Sequence, residues 1–183
     1  MINTQQNKAL TQLVWIGIGA IGMFFAGLTS AYIVRKAEGN WMEFILPDWF
    51  LYSTITIILS SFILVLAKQK IKTDNSSFQF VLTVFFLGLL FAFFQVSGWK
   101  ELVNKDVFLT GTGSNAAGSF LYVLTLSHLV HLIGGLVALL LVIINVKNNK
   151  YTKDSHLGFS LTSTYWHFLG ILWIYLFFFL KYI

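Results

Sequence analysis

Five apolar segments, each long enough to cross a lipid bilayer, set the limits on what this chain can fold into. They lie at residues 13–34, 49–67, 78–98, 119–146 and 161–182. A helix needs about 20 predominantly apolar residues to span a hydrocarbon core about 30 Å thick. The sequence therefore predicts an all-α fold, a polytopic membrane bundle of five transmembrane helices. The fourth segment exceeds that length, so we expect its helix to tilt or to project from the bilayer.

The composition also indicates a lipid environment. Of the 183 residues, 57% are hydrophobic and only 10% are charged, whereas a soluble domain has about 25% charged residues. The connections are short and polar, so we expect residues 1–183 to form a single membrane domain. The chain has no cysteine, which excludes disulfides and thiolate metal sites. Its basic residues are scattered rather than clustered, so a nucleic-acid partner is not expected.

The basic residues predict the orientation of the bundle. With a cytoplasmic N-terminus, the cytoplasmic side holds seven of them and the other side five. The seven are Lys8, Lys68, Lys70, Lys72, Lys147, Lys150 and Lys153, and the five are Arg35, Lys36, Lys100, Lys105 and Lys181. Because cytoplasmic loops carry an excess of lysine and arginine, we expect the N-terminus to be cytoplasmic.

The carboxylates lie outside the five spans. All seven fall in the connecting loops: Glu38, Glu43, Asp48, Asp74, Glu101, Asp106 and Asp154. Proton relays and ion-coupled transporters usually place Asp or Glu within the membrane, where a carboxylate is costly and retained for function. A self-contained pump or coupled transporter is therefore disfavoured, and so is acid–base catalysis by paired carboxylates inside the bundle.

Small residues in the first span allow two interpretations. Residues 17–22, GIGAIG, match the glycine pattern of dinucleotide-binding folds, but that motif requires a strand, a tight turn and a helix start. Here the glycines lie inside an unbroken apolar run. Gly22, Ala26 and Ser30 recur every four residues, so we interpret them as a ridge for close helix packing.

Two histidines in the fourth span, His128 and His131, are candidate ligands. Their spacing places them on one helix face, a turn apart, and His167 is the third histidine within a span. The helical rise places His131 and His167 about 13 Å apart in depth, which disfavours a shared haem iron. The alternatives are a small membrane cytochrome that binds haem through these histidines, or neutral histidines hydrogen-bonded to neighbouring helices or lipid head groups.

Other polar and aromatic side chains in the spans have structural interpretations. Gln95 and several hydroxyl residues can form interhelical hydrogen bonds worth about 1 kcal/mol or less each; the hydroxyl residues are Ser53, Thr54, Thr56, Ser60, Ser61, Thr125 and Ser127. Tyr165 and Trp166 lie near a predicted span end, where amphipathic rings favour the membrane interface.

The residue pattern of the last two spans together indicates a protein family more specifically than any of their residues does alone. GSFLYVLTLSHLVHLIGGL at residues 118–136 and YWHFLGILWIYLFFFLKY at residues 165–182 resemble the C-terminal half of subunit III of haem-copper cytochrome c oxidases. MFFAGLTSAYIVRK at residues 23–36 and GLLFAFFQVSGW at residues 88–99 agree with that family. The long form of this subunit has seven helices, so the chain is similar to the short bacterial form with five.

This resemblance implies a non-catalytic subunit of a respiratory oxidase in a bacterial plasma (inner) membrane. The complex would reduce oxygen to water and translocate protons, with haem and copper in partner subunits and no cofactor in this chain. As the resemblance implies, the chain would pack mainly against subunit I, join subunit II in the complex and hold phospholipid. A larger respiratory supercomplex is a further candidate partner. Candidate structural, lipid or subunit contacts are His128, His131, His167, Trp166, Tyr165, Gln95, Arg35, Gly22 and Ala26.

The sequence departs from the family pattern at two informative positions. Ile21 lies where many relatives have an intramembrane glutamate, so a proton-supplying role of that residue does not carry over. Gly170 replaces the aspartate that follows the Tyr-Trp-His-Phe-Val pattern. An unrelated membrane scaffold or transporter is a third alternative.

Overall fold

The computed structural model describes residues 2–73, 77–148 and 157–183, which form five helices and contain no strand. The helices are α1 Ile2–Ala37, α2 Trp49–Thr73, α3 Ser77–Asn104, α4 Ala116–Lys147 and α5 Leu157–Tyr182. All five are long and apolar enough to cross a membrane. The predicted fold class, a multi-pass helical membrane protein with five spans, is confirmed.

The helices extend beyond the predicted apolar segments. The first begins at Ile2 rather than at residue 13, and the second continues to Thr73 rather than to residue 67. Polar residues continue a helix until a capping residue ends it. The length of an apolar segment therefore predicts the part of the helix that crosses the membrane, and not the full length of the helix. Gly39 with φ +86° follows the end of α1, and the Asn115 side chain caps the start of α4 by accepting from the backbone N–H of Ala117 at 2.9 Å.

Four of the helices form the main body of the bundle and α1 lies at its edge. The first helix packs against α4 and α5, and in the described ranges it makes no contact with α2 or α3. Its inward face carries Ile18, Phe25, Thr29 and Tyr32, all buried. Only 11% of its most apolar stretch is buried, compared with 28% to 50% in the other four helices. The outer face of α1 therefore remains uncovered within this chain.

The centre of the bundle is organised around one tryptophan. Trp166 of α5 is fully buried and lies between glycines of two other helices. A Cβ atom added at Gly88 would lie 2.7 Å from Trp166 Cη2, and one added at Gly135 would lie 3.2 Å from Trp166 Cε3. The absence of a side chain at these two positions leaves a slot for the indole ring.

Candidate functional site

Hydrogen bonds between side chains connect the helices at buried or half-buried positions. Tyr175 of α5 donates to Thr29 of α1 at 3.1 Å, and four further bonds join α2, α3, α4 and α5. The indole N–H groups of α5 bond to hydroxyls of α2, Trp166 to Ser60 at 3.0 Å and Trp173 to Thr54 at 3.0 Å. The two bonds made by α3 are Trp99 Nε1 to Thr125 Oγ1 at 3.0 Å and Gln95 Nε2 to Ser53 Oγ at 2.8 Å. We call the eight residues of these four further bonds the polar core.

The hydroxyl groups of the polar core use both of their hydrogen-bonding capacities. Ser60 donates to the carbonyl of Ile57 at 2.7 Å, and Thr54 donates to the carbonyl of Phe50 at 2.7 Å. Each hydroxyl proton thus goes to its own helix, while the oxygen accepts an N–H from the neighbouring helix. Since hydrocarbon offers no hydrogen-bond partner, this pairing both satisfies the groups and fixes which helix faces meet.

The polar core confirms the predicted interhelical role of Gln95, Ser53, Thr54, Ser60 and Thr125. Trp166, which lies near a predicted span end, has its ring fully inside the bundle. The end of an apolar run does not reveal which way a side chain faces. Here the glycine slot and the hydroxyl of α2 draw the ring inward.

His128 and His131 lie on one side of α4, as their spacing predicts. The centres of both rings lie near Phe25, at 6.4 Å and 5.7 Å respectively. His128 is fully buried, and its other ring neighbours are Phe91 at 5.7 Å and Trp173 at 5.0 Å. The pair therefore faces aromatic side chains of three other helices.

The expected hydrogen bonds of these histidines to neighbouring helices are not made. Among the described residues, neither ring nitrogen of His128 has a hydrogen-bond partner. His131 Nδ1 lies 2.7 Å from the carbonyl oxygen of Ser127 on the same helix. The bond between helices at this level comes instead from the Tyr165 hydroxyl, which donates to the carbonyl of His131 at 3.1 Å. Packing geometry, which the sequence does not reveal, decides which polar groups meet.

His167 lies in a different part of the bundle. Its side chain lines an open groove between α2 and α5, together with Ser61 and Gly170, and it takes no part in the aromatic cluster around His128. Within the described ranges, no group of three or more His, Cys, Asp or Glu side chains is arranged to hold a metal ion.

The other candidate residues lie at the edge of the bundle. Arg35, in the last turn of α1, forms an exposed ion pair with Glu38 at 3.4 Å and donates to the carbonyl of Gly39 at 3.2 Å. A Cβ added at Gly22 would meet no atom within 4 Å, and Ala26 is exposed. The ridge predicted for close helix packing therefore has no partner among the described residues of this chain.

Two residues that hold the bundle together were absent from the predicted set. Gly88 forms one wall of the Trp166 slot, and Trp173 contacts Phe50 and His128 while bonding to Thr54. A signal for the second existed in the sequence, because Trp166 and Trp173 are seven residues apart and so share a helix face. Nothing in the sequence distinguishes Gly88 from the other glycines.

Comparison with known proteins agrees with this arrangement over most of the chain. The family model for cytochrome c oxidase subunit III matches residues 44–183. A Nocardia farcinica protein named "Probable cytochrome c oxidase subunit 3" is 30% identical, with 96% of this chain and 88% of that protein covered. A Corynebacterium diphtheriae protein named "Cytochrome c oxidase subunit 3" is 28% identical, with 97% and 92% covered.

A relative from a second kind of oxidase shows similar coverage. It is the Buchnera aphidicola protein named "Cytochrome bo(3) ubiquinol oxidase subunit 3", which is 25% identical, with 88% of this chain and 80% of that protein covered. The family match and the five-helix bundle confirm the resemblance found in the last two spans. The chain belongs to the cytochrome c oxidase subunit III family.

Proposed function

We propose that this chain is a non-catalytic subunit that packs against subunit I of a respiratory oxidase and stabilises it. The complex would lie in a bacterial plasma membrane with the N-terminus of this chain in the cytoplasm. It would oxidise a c-type cytochrome, reduce oxygen to water and translocate protons, with haem and copper held by partner subunits. The chain would form one membrane domain and hold phospholipid at its surface.

The uncovered face of α1 is the observation that supports a contact with another subunit. Gly22, Ala26 and Ser30 follow one another at four-residue intervals on that helix. Apart from the backbone of α1 itself, no atom of the described residues lies within 4 Å of a Cβ added at Gly22. Small residues let two membrane helices approach closely, and van der Waals packing drives their association in lipid. A helix of another subunit, packed along this ridge, would cover it.

The outward face of α3 provides a contrast within the same chain. Its exposed side chains are bulky: Phe86 is 59% exposed, Phe93 59% and Leu89 43%. Such a surface suits lipid chains, whereas the small residues of α1 suit a second helix backbone. The two faces thus favour α1 as the subunit contact and α3 as a lipid-facing helix.

The surroundings of the histidines support a structural role. His128 is enclosed by Phe25, Phe91 and Trp173, and His167 lies separately in the α2/α5 groove. Haem ligation by a pair of histidines requires both rings to approach one iron from opposite sides. The aromatic side chains around His128 and the separate position of His167 favour a packing role for both histidines over haem ligation.

The test is affinity purification of the tagged full chain from its native membranes in mild detergent, followed by mass spectrometry of the accompanying subunits. We expect subunit I to co-purify and Ala26→Phe to reduce its recovery by about fivefold or more, since overpacking at a helix contact costs about 1–3 kcal/mol. Leu89→Phe, which adds the same ring on the exposed face of α3, should leave recovery unchanged.

Purification without subunit I would contradict the proposed association. Equal recovery of subunit I with the Ala26→Phe variant and the unmodified chain would place the contact on another helix.

A further inference from the structure

An apolar groove runs along the outer surface between α2 and α5. Its volume is about 340 Å³, and it is lined by Ile57, Ile58, Ser61, Val65, His167, Gly170, Ile171 and Ile174. The two helices are antiparallel and lie close together at its floor, where a Cβ added at Gly170 would be 3.2 Å from Ser61 Oγ and 3.7 Å from Ile57 Cγ1. The missing side chain at Gly170 keeps the groove open.

Several walls of the groove face outward from the bundle. Ile171 is 67% exposed, Ile58 48% and Val65 43%. The polar groups among the lining residues, Ser61 and His167, are half-buried. Such a surface suits acyl chains, and the groove is an apolar channel with Ser61 at its floor and His167 toward one end.

A cation lies at that end of the groove. On α2, Ser61, Val65 and Lys68 are spaced by four and three residues and so share a face. Lys68 lies close enough to His167 for the two groups to interact electrostatically. From Lys68 to Ile57 the helix rises about 16 Å, close to half of a hydrocarbon core of about 30 Å. The groove therefore has the length of one leaflet.

The charges at this end of the bundle have one sign among the described residues. Lys8, Lys68, Lys70 and Lys147 lie there. The described carboxylates lie at the opposite end: Glu101 in the last turn of α3, and Glu38, Glu43, Asp48 and Asp106 in the loops. Asp74 and Asp154 fall outside the described residues. A positive surface beside a membrane attracts anionic phospholipids, at about 1 kcal/mol for each Lys or Arg.

We propose that the α2/α5 groove is a binding site for an anionic phospholipid, with its phosphate at Lys68 and His167 and one acyl chain along Gly170 toward Ile57 and Ile174. Lys68 supplies the charge, and the His167 ring offers a hydrogen-bond donor to the phosphate or an ester carbonyl. The open floor at Gly170 accommodates the chain. This inference rests on the lipid-holding part of the proposed function.

A second groove of about 300 Å³ lies between α1, α4 and α5, and its lining residues carry no ionised side chain. It is similar to the first in size, but its lining residues include no basic side chain, whereas those of the α2/α5 groove include His167. The imidazole in its wall, with Lys68 three residues beyond Val65 on the same helix face, distinguishes the α2/α5 groove.

The experiment is native mass spectrometry of the purified full-length subunit, in its complex, after exchange into nanodiscs with equal amounts of phosphatidylglycerol and phosphatidylcholine. We expect one retained phosphatidylglycerol in excess over phosphatidylcholine. Lys68→Gln should reduce that excess by about fivefold, because it removes one lysine contact with the lipid, worth about 1 kcal/mol. Val65→Trp, which fills the groove from an exposed position, should remove the retained lipid.

Two matched controls separate the site from general effects. Lys147→Gln removes a charge at the same end of the bundle, and Phe62→Trp places the same ring at an exposed position outside the groove. Both should retain phosphatidylglycerol as the unmodified chain does. Subunit composition, read from the same spectra, reports on the proposed association independently of lipid retention.

Three results would overturn the inference. These are equal retention of the two lipids, retention unchanged by Val65→Trp, and cross-linking of the Val65→Cys variant to a helix of another subunit. The last would show that protein rather than lipid occupies the groove.

Discussion

Substitution of Gly88 by alanine tests the tightest contact in the bundle. The added methyl carbon would lie 2.7 Å from Leu136 Cδ2, 2.7 Å from Trp166 Cη2 and 3.3 Å from Trp166 Cζ2. The indole ring is held in place because its N–H donates to Ser60 at 3.0 Å and the ring is fully buried. Overpacking of this kind costs about 1–3 kcal/mol.

A second glycine provides the control for this substitution. At Gly134, a Cβ would meet only the Tyr165 hydroxyl oxygen at 3.8 Å, an ordinary contact. Both substitutions gain the same helix propensity, about 1 kcal/mol in favour of alanine, so their difference isolates the steric cost. We expect Gly88→Ala to be less stable than Gly134→Ala by about 1–3 kcal/mol, which lowers the folding equilibrium constant about 5- to 150-fold.

The assay is the free energy of unfolding of the full chain in bicelles, measured by SDS titration with circular dichroism. Equal stability of the two variants would refute the reasoning, because it would show that the indole ring moves freely in its slot. A loss at Gly134 as large as that at Gly88 would also refute it.

Three further substitutions follow from the same contacts, and their stability effects can be measured in the same assay. Ser60→Ala leaves the buried Trp166 N–H without its acceptor and should lower the free energy of unfolding by about 1–2 kcal/mol. The control Ser97→Ala loses only a bond to its own helix and should lower it by less than about 0.5 kcal/mol. Equal losses would contradict the importance of the interhelical bond. His128→Leu removes a buried imidazole with no partner among the described residues and should raise the free energy of unfolding by about 1 kcal/mol; a loss above 2 kcal/mol would show that the ring has a partner. His131→Ala should weaken subunit association, since the half-buried ring packs on Phe25. The haem absorbance per catalytic subunit should not change. Disappearance of a haem band from an assembled complex would contradict the structural role of His131.

The number and order of the helices could be predicted from the sequence because hydropathy reports directly on membrane crossing. The helix ends could not, since the polar residues before Leu13 continue α1 to Ile2. The capping residues near the ends, Gly39 and Asn115, indicate them better than the apolar boundaries do.

Those features of the candidate site that depend on the geometry of a single helix could be predicted from the sequence. The shared face of His128 and His131 follows from their spacing. The slot between Gly88 and Gly135 does not, because it depends on how α3 and α4 meet α5. For the same reason, the sequence did not reveal that the Trp166 ring faces the centre of the bundle. It also did not reveal that no described residue of another helix in this chain packs against the α1 ridge at Gly22.

We expect this chain to assemble with a redox subunit and to hold no redox centre of its own. The decisive measurement is purification of the tagged chain from native membranes, with reduced-minus-oxidised spectra recorded before and after the other subunits are stripped away. We expect a haem spectrum together with a large oxidase subunit, and loss of both on stripping. A haem spectrum that remains with the isolated chain would contradict this expectation and make His128 and His131 ligands.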